Sequence, residues 1–469
     1  MDPISDGAYL DRLARNCFDV FAGRCFLELN PGTRYLQNWH VEAIAHWLEL
    51  CRTGTEKRLI ITLPPRSLKS LCTSIAFPAF VLGHDPTQRI INVSYSQELG
   101  SKFSAGFRAV VGSDWYRRIF PDMRAQRDTE TEFVTTLGGE RVSIPIGGSL
   151  TGRGANFIII DDPLKADEAT SHAARERVNS YYRSTLFSRL NDKRTGVIIV
   201  VMQRLHEEDL AGQLLRDGGW QHLDLPAIAL EDQSFELMRG DQYHRKRGDL
   251  LHAEREPASV LGEIKRNLGT YAFQAQYQQR PVMDAGNLIQ KGWIRYCDSV
   301  PTRDSTNYTV QSWDTALKGS ELNDFSVCST WRRHNNEHFL IHIARVRYEY
   351  PNLRRLAVQL YNEHQPDIVL IEDRGTGTTL SQDLRYYHQI NAQPIRPEGD
   401  KQVRLEAVSP LFEQGSVYFP KRAPWLGDLL DELLRFPQTK FDDQVDSVSQ
   451  YLNWARLKVR ATVFKAHWI

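Results

Sequence analysis

The sequence lacks the features that are typical of secreted proteins, membrane proteins and proteins stabilised by a bound metal ion. Its 469 residues include six cysteines and no CxxC pair, which argues against a disulfide framework or a zinc site and favours reduced thiols. The longest apolar stretch, residues 71–83, is interrupted by polar residues and proline and is shorter than the roughly 18 residues of a membrane span. The opening MDPISDGAYL has no basic or apolar region, so we expect no signal peptide.

The chain also lacks a net charge, with 58 basic and 58 acidic residues, and this balance neither supports nor excludes nucleic-acid binding. A charged fraction of 25% with 10% aromatic residues excludes a disordered or collagen-like protein. The length predicts two to four domains at roughly 100–200 residues each.

The first half has the pattern of a parallel α/β sheet. An amphipathic helix is predicted over residues 38–50. Short and almost continuously apolar runs follow, which is typical of strands covered on both faces. These predicted strands are Leu59–Thr62, Arg89–Ser94, Phe157–Ile160 and Val197–Val201.

The composition changes over residues 205–282, where the sequence is strongly charged and its pattern predicts no long strand. We interpret this segment as a connector. A second α/β unit follows, and its strands in a meander, then a helix and another strand, resemble the opening of an RNase H-like sheet. Its predicted strands are Val310–Asp314, Val327–Arg332, Phe339–Arg347 and Ile368–Glu372, and its predicted helices are Asn352–His364 and Asp443–Leu457.

A loop ending in Lys69 and Ser70 directly follows the first predicted strand. In a P-loop the lysine reaches the β- and γ-phosphates of ATP and the hydroxyl binds Mg²⁺. The strict GxxxxGK[ST] pattern is not met, because Leu63 and Leu68 stand at the glycine positions. Taken alone, the loop could instead be a strand leading into a turn with a solvated lysine.

A second motif supports the nucleotide site. Asp161 and Asp162 end an apolar strand in a Walker B pattern, although the pair could instead cap the next helix. With one strand between them in the sequence, the two motifs are expected on neighbouring strands of one sheet. Arg66 and Arg153 are candidates to stabilise γ-phosphate charge, or surface charges. Gln203, at the edge of a later strand, is a candidate γ-phosphate sensor.

Carboxylates recur at the ends of predicted elements in the C-terminal half. Acidic groups converging from separate elements are what a two-Mg²⁺ phosphodiester site needs, since hard cations prefer oxygen ligands. Each of these residues alone could be a turn or cap residue, whereas the ordered series is more specific. The series comprises Asp314, Glu372 with Asp373, and Asp442, Asp443 and Asp446.

Together these motifs resemble the large terminase subunit of tailed bacteriophages over nearly the whole chain. The resemblance is carried by NWHVEAIAHWLE, PPRSLKS, GGSLTGRGANFIIIDDP, QRLHEEDLAG, AFQAQYQQRP, SWDTA, VLIEDRGTGTTL and DDQVDS. It implies an α/β protein with an N-terminal P-loop ATPase of the ASCE or RecA-like kind over residues 1–210. A connector over 211–284 and an RNase H-like nuclease over 285–469 would follow.

The resemblance also implies roles for individual residues. The ATP-binding residues would be Gln37, Arg66, Ser67, Leu68, Lys69, Ser70 and Asp161, with Gln37 reading adenine. Ser70 and Asp161 would hold Mg²⁺, Asp162 would activate water in place of the usual glutamate, and Gln203 would couple hydrolysis to motion. The nuclease metals, Mg²⁺ or Mn²⁺, would be held by Asp314, Glu372 and Asp443, with Asp442 and Asp446 as neighbours.

The implied partners are double-stranded DNA, a portal protein, a small terminase subunit and further copies in a ring on the procapsid. No membrane is involved, and the implied location is the cytoplasm of the bacterial host. Basic residues in the tail, residues 455–469, and Lys421 with Arg422 are candidate DNA contacts. Two alternatives remain open, namely an inactive prophage protein that docks on the portal or DNA, and a repair helicase-nuclease.

Overall fold

A computed structural model describes residues 6–281, 288–304, 307–315, 325–397, 399–439 and 441–466, with side chains from residue 7 to residue 457. The chain divides into two compact units, one of residues 1–265 with 270–282 and the other of residues 266–269 with 283–469. The predicted connector therefore forms no third unit, since most of it belongs to the N-terminal unit.

The strands fall into an eight-stranded sheet, a two-stranded hairpin and a seven-stranded sheet. In chain order they are β1 (Arg58–Thr62), β2 (Arg89–Ser94), β3 (Ala125–Asp128), β4 (Glu132–Thr135), β5 (Glu140–Pro145), β6 (Phe157–Asp161), β7 (Val197–Met202), β8 (Gln221–Asp224), β9 (Gln233–Glu236), β10 (Gln242–Arg245), β11 (Arg295–Cys297), β12 (Asn307–Asp314), β13 (Ser326–His334), β14 (Glu337–Val346), β15 (Ile368–Glu372), β16 (Ala392–Ile395) and β17 (Val417–Pro420).

The helices cover both faces of each large sheet. They are α1 (Asp6–Asn16), α2 (Phe18–Leu29), α3 (Trp39–Arg52), α4 (Phe77–His84), α5 (Gln97–Gly112), α6 (Asp114–Ile119), α7 (His172–Tyr181), α8 (Leu210–Asp217), α9 (Ala258–Leu268), α10 (Thr270–Gln276), α11 (Tyr350–His364), α12 (Thr376–His388), α13 (Lys401–Glu406), α14 (Ser409–Glu413), α15 (Leu426–Arg435) and α16 (Asp443–Ala466). A π-helical turn, Leu71–Ala76, leads directly into α4.

The N-terminal sheet has the order β3-β4-β5-β2-β6-β7-β1-β8 and is parallel from β5 to β8. The strand that precedes the lysine loop, β1, is separated from the strand that ends in the aspartate pair, β6, by β7. The prediction that these two strands are neighbours is therefore wrong. The strand β8, which pairs with β1, lies in the charged segment where no long strand was expected.

Both faces of this sheet are buried, as the apolar runs predicted. Leu59 and Ile61 of β1 belong to the core on one face, and Ile60 belongs to the core on the other. Alternation of side chains across the strand places consecutive residues in different cores. A continuous apolar run is therefore required, and it fixes the carboxyl ends of the strands on one edge.

The C-terminal sheet has the order β11-β17-β14-β13-β12-β15-β16. The strands β12, β13 and β14 form an antiparallel meander, and β15 and β16 continue it in parallel to β12. The hairpin predicted across HNNEH is present, with Asn335 in the left-handed region at φ 54°. This is the RNase H-like arrangement that the sequence predicted. Within the described residues, no helix is long and apolar enough to cross a bilayer.

Candidate active sites

The loop after β1 adopts a glycine-like backbone without glycine. Arg66 and Leu68 have φ angles of 58° and 63°, both in the left-handed region. Leu68 occupies the second glycine position of the P-loop pattern, so the conformation is kept although the residue that favours it is absent. Each such residue costs roughly 1–2 kcal/mol relative to glycine. The loop therefore needs other contacts to hold it.

Four predicted site residues meet at the carboxyl ends of β1 and β6. Ser70 donates its hydroxyl to Asp161 Oδ1 at 3.0 Å, and Ser74 donates to Asp161 Oδ2 at 2.6 Å. Lys69 Nζ lies 2.6 Å from Asp162 Oδ2. The carboxyl ends of parallel strands share one edge, which is where α/β sheets bind ligands. The lysine loop and the aspartate pair therefore form one site despite the strand between them.

Gln203 approaches this site from β7, the intervening strand. Its backbone N–H donates to Asp162 Oδ1 at 3.2 Å. Its side-chain oxygen Oε1 is buried without a hydrogen-bond partner among the described residues. A buried polar atom without a partner is costly, so this amide is available to a bound ligand or to water.

The aspartate pair carries more negative charge than its surroundings neutralise. Burial, and then the charge of Asp162, raise the pKa of Asp161 to about 7, although Lys69 and the hydroxyls of Ser70 and Ser74 oppose the rise. A divalent cation would stabilise the ionised form. The hydroxyl and carboxylate oxygens present here are the hard donors that Mg²⁺ prefers.

A buried arginine extends the network behind Asp161. Arg141 on β5 donates to Ser104 Oγ at 2.8 Å and to the carbonyl oxygen of Ser74 at 3.2 Å. Burial lowers the pKa of Arg141 to about 9. This residue was missed by the motif search, because nothing near it in the sequence marks it as part of a site.

A cavity of about 790 Å³ opens over the loop, and the predicted residues Arg66, Leu68, Lys69, Ser70, Asp162 and Gln203 line it. Three further cations lie on its wall, Arg34, Lys102 and Arg255, and no motif in the sequence indicated them. Arg255 lies in the charged segment interpreted as a connector, where no local pattern separates a site residue from a solvated charge. The cavity size and basic wall suit a nucleoside triphosphate.

Three other predicted residues lie outside this cavity. Gln37 donates to Glu42 Oε1 at 3.0 Å and lines a separate cavity of about 320 Å³, so the structure does not bring it to the loop. Ser67 of the loop is 6% exposed, and its carbonyl oxygen lies 3.3 Å from His40 Nε2. Arg153 pairs with Glu132 at 2.9 Å, as a structural ion pair rather than a phosphate contact.

The second site lies at the carboxyl ends of β12 and β15. These strands pair in parallel with Trp313 opposite Ile371, so Asp314 and Glu372 follow side by side. A cavity of about 500 Å³ is lined by both residues and by Asp443 and Asp446 from the first turn of α16. The acidic series that the sequence singled out therefore converges in space.

The structure distinguishes Glu372 from its neighbour. Asp373 accepts a hydrogen bond from Thr378 at 2.9 Å and faces Arg396 at 3.5 Å, away from the cavity. Side chains alternate along a strand, so only one of the two can face the other acids. Gly377 permits this turn, because a Cβ there would lie 2.1 Å from the Glu372 carbonyl oxygen.

Two cations from the short helix α13 bind the acids. Lys401 Nζ lies 2.7 Å from Asp446 Oδ2 and 2.6 Å from Asp442 Oδ1, and Arg404 donates to Asp446 Oδ1. Lys401 and Arg404 were missed by the motif search. Their i, i+3 spacing on a basic helix was the available signal. Asp442 faces Lys401 and is not part of the cavity wall.

Lys401 and Arg404 do not fully offset the negative charge of the acids that line this cavity. Burial, and then the charges of Asp446 and Glu372, raise the pKa of Asp314 well above its usual range, and burial also raises the pKa of Glu372. Within the described residues, no group of three or more acidic, histidine or cysteine side chains is close enough together to hold a metal ion. The carboxylate oxygens of Asp314, Glu372 and Asp443 are the hard donors that Mg²⁺ and Mn²⁺ prefer.

The candidate DNA contacts outside this cavity are less informative. Lys421 pairs with Asp298 at 2.5 Å. Most side chains of the basic tail, residues 455–469, lie outside the described residues. The proposed DNA contacts of Lys421 with Arg422 and of the basic tail stay predictions.

Comparison with known proteins finds one family domain and several similar folds. Residues 311–454 match a family described as the terminase RNaseH-like domain. No curated protein matches the sequence. Among solved structures, the large terminase of the thermophilic bacteriophage D6E in complex with ADP has a TM-score of 0.53 at 11% identity, covering 89% of this chain and 99% of that one.

Two further D6E large terminase structures are similar. A second crystal form gives a TM-score of 0.55 at 8% identity, covering 90% of this chain and 99% of that one. The complex with ATP-gamma-S gives 0.50 at 10% identity, with coverage of 88% and 98%. At these identities the likeness shows the fold.

The chain thus combines a largely parallel N-terminal α/β sheet with an RNase H-like C-terminal sheet. Residues 311–454 match the terminase RNase H-like domain family, and the fold of the chain is similar to that of solved phage large terminases. The resemblance drawn from the motifs is confirmed at this level.

Proposed function

We propose that this protein is the large terminase subunit of a tailed phage, an ATP-driven motor that moves double-stranded DNA through the portal into the procapsid. It would also be a divalent-metal-dependent endonuclease that cuts concatemeric DNA. The observation that carries the proposal is the presence of two separate acidic sites in one chain. One has a phosphate-loop lysine at 2.6 Å from an aspartate, and the other has acids at the end of an RNase H-like sheet.

The ATP site has a stated role for each residue. Lys69 exchanges its ion pair with Asp162 for the β- and γ-phosphates of ATP, which frees Asp162 to polarise the attacking water. Ser70 and Asp161 would hold Mg²⁺, which would neutralise phosphate charge. Gln203 contacts Asp162 through its backbone and presents its amide to the cavity, so it couples the γ-phosphate to β7. Arg66 stabilises γ-phosphate charge from the loop.

The nuclease site acts through its carboxylates. Asp314, Glu372 and Asp443 would hold Mg²⁺ or Mn²⁺, which supplies Lewis acidity to the attacking and leaving oxygens. Asp446 helps to set the charge of the site, and Arg374 at the cavity wall is placed to contact a DNA phosphate. We also propose that DNA binding does not depend on base sequence and weakens with salt.

The remaining assignments rest on the family resemblance. The partners would be a portal protein, a small terminase subunit and further copies in a ring on the procapsid, all in the bacterial cytoplasm. Residues 1–210 would be the ATPase domain and residues 285–469 the nuclease. Residues 211–284 connect them and contribute β8 and part of the nucleotide cavity to the ATPase.

The test measures both activities in the full chain. ATP hydrolysis and nicking of supercoiled plasmid with Mg²⁺ or Mn²⁺ are assayed in the wild type, in Lys69→Ala and in Asp314→Asn. We expect Lys69→Ala to lose hydrolysis and keep nicking, because it removes the charge that holds the phosphates. We expect Asp314→Asn to lose nicking and keep hydrolysis.

Other outcomes select the alternatives. A wild-type protein with neither activity would favour an inactive docking protein. Hydrolysis coupled to duplex unwinding would favour a helicase-nuclease.

A further inference from the structure

Two residues outside the phosphate loop contact backbone carbonyl oxygens of the loop, beside the position where its backbone is strained. His40 Nε2 lies 3.3 Å from the carbonyl oxygen of Ser67, and Arg255 donates Nη1–H to the carbonyl oxygen of Arg66. These carbonyls belong to consecutive residues, next to Leu68 with its φ of 63°. The contacts therefore act where the missing glycine leaves the backbone strained.

A side-chain relay fixes the tautomer of His40. Asn38 Nδ2 contacts His40 Nδ1 and also donates to the carbonyl oxygen of Leu251 at 2.7 Å. Since an amide N–H can only donate, Nδ1 must accept and the ring proton must lie on Nε2. His40 is 2% exposed, and burial lowers its pKa to about 3, so the ring stays neutral. Its Nε2–H is thus directed at the Ser67 carbonyl oxygen.

The second contact comes from a distant part of the chain. Arg255 follows the segment of Leu251 and His252, and the His252 ring lies 5.7 Å from the ring of His40. Arg255 also lines the nucleotide cavity. One segment therefore reaches the loop twice, once through Arg255 and once through Asn38 and His40.

We propose that His40 and Arg255 are positioning residues that hold the glycine-free phosphate loop in its nucleotide-binding conformation. The inference rests on the proposed ATP site. A glycine-containing loop reaches the left-handed conformation at no steric cost, whereas this loop depends on two donors outside it. Nucleotide affinity should therefore depend on these donors, and the dependence should weaken when glycine is restored at residue 68.

The first experiment measures ADP·Mg²⁺ affinity of the full chain by calorimetry. His40→Leu keeps a similar side-chain volume and removes the donor, so we expect affinity to fall about tenfold, equivalent to roughly 1.4 kcal/mol for the loss of one hydrogen bond. His40→Gln keeps an N–H near Nε2 and should stay within about threefold of wild type. In ATP hydrolysis, the KM should rise more than kcat falls.

The second experiment is a double-mutant cycle with Leu68→Gly. If His40 acts by holding a strained backbone, the loss caused by His40→Leu should shrink by at least half in the Leu68→Gly background. Purely additive effects would overturn the proposal. The partly exposed Arg255 provides a second cycle with Arg255→Ala, should the buried His40 variant fail to fold. Lys102→Ala, which removes a cavity cation without a described loop contact, controls for simple loss of positive charge.

A third measurement needs no nucleotide. Amide hydrogen exchange over residues 63–70 should speed up in His40→Leu and in Arg255→Ala, and not in Lys102→Ala. A wild-type chain that binds no ADP would defeat the proposed function, and the exchange result would still decide whether these residues hold the loop. Unchanged exchange together with unchanged ADP affinity would refute the inference alone.

Discussion

The two acidic sites are built alike and neutralised differently. Each has an aspartate with a raised pKa at the carboxyl end of a strand, Asp161 in one unit and Asp314 in the other. In the ATP site the cation is Lys69, which lies on the wall of the cavity. In the nuclease site Lys401 and Arg404 bind Asp446 from a separate helix.

The difference concerns what the ligand must do to enter. A phosphate-bearing ligand brings negative charge, so Lys69 can turn from Asp162 to the ligand and keep an ion pair. A metal ion brings positive charge, so Lys401 and Arg404 on the wall of the same cavity repel it. Removing the lysine should therefore weaken ligand binding at the first site and strengthen it at the second. The following predictions test this contrast.

The largest expected effect separates two adjacent acids of the nuclease site. Glu372→Gln keeps the side-chain volume and removes the charge that faces the cavity. We expect plasmid nicking to fall by more than about a hundredfold, the scale seen when a group that stabilises transition-state charge is removed. Asp373→Asn, whose carboxylate faces Thr378 and Arg396, should keep most of the activity. ATP hydrolysis serves as the folding control, and a reversed pair of results would make Asp373 the ligand.

The next prediction concerns the hydroxyl that supports the ATP-site acid. Ser74→Ala removes a 2.6 Å hydrogen bond to Asp161, and that hydrogen bond lowers the pKa of Asp161. Without it the pKa rises further, so the acid limb of the hydrolysis profile should shift to higher pH. At neutral pH we expect the rate to fall about tenfold, since a hydrogen bond to a charged group contributes roughly 1.5 kcal/mol or more. Nicking should not change.

A profile that falls uniformly at every pH would contradict this account. The loss would then reflect packing around the fully buried Ser74 rather than the ionisation of Asp161.

The strands and the acids were predictable for a common physical reason. Strands buried on both faces require apolar runs, and β1, β2, β6 and β7 match the predicted strands to within a residue at each end. Acids at strand ends are local features of sequence. The positions of Asp161 and Asp314 in their sites followed from these runs.

The supporting residues could not be predicted, because they act across long sequence separations. Arg141 reaches the Ser74 carbonyl from β5, and Arg255 reaches the loop from a segment that read as a connector. Likewise, no local signal showed that β7 lies between β1 and β6, since strand order depends on how helices pack on the sheet. Gln37 precedes α3 and Glu42 lies within it, so their hydrogen bond depends on the backbone conformation at the start of that helix.

The contrast between Lys69 and Lys401 predicts that removing the charge of Lys401 strengthens metal binding. Lys401→Met keeps the apolar stem and removes the charge that binds Asp446 and Asp442. We expect Mn²⁺ affinity, measured by calorimetry on the full chain, to rise about fivefold, equivalent to roughly 1 kcal/mol for a partly exposed ion pair. Lys421→Met, at an exposed pair with Asp298, is the matched control and should change nothing. Weaker Mn²⁺ binding in Lys401→Met would show that the lysine organises the acids rather than repelling the metal.

The smallest expected effect concerns His338, a buried histidine of the C-terminal unit that contrasts with His40 of the N-terminal unit. His338 is 4% exposed and contacts the Tyr451 hydroxyl at 3.0 Å, and burial lowers its pKa to about 3. Between that value and the unfolded pKa of 6.5, only the unfolded chain takes up the proton. The contribution to stability is therefore complete above pH 6.5 and is lost as the pH falls towards 3. For one histidine this amounts to about 0.7 kcal/mol between pH 7 and pH 6.

His338→Gln should remove this dependence, so its free energy of unfolding should fall less than that of wild type over the same pH range. The same change at exposed His388 is the control, since unfolding alters its surroundings least. Unlike His40, His338 touches no loop that binds a ligand, so neither hydrolysis nor nicking should respond to its replacement. An equal pH slope in His338→Gln and wild type would mean that His338 takes up its proton with the same pKa in the folded and unfolded protein. A change in ADP affinity would mean that the two units are coupled through this histidine.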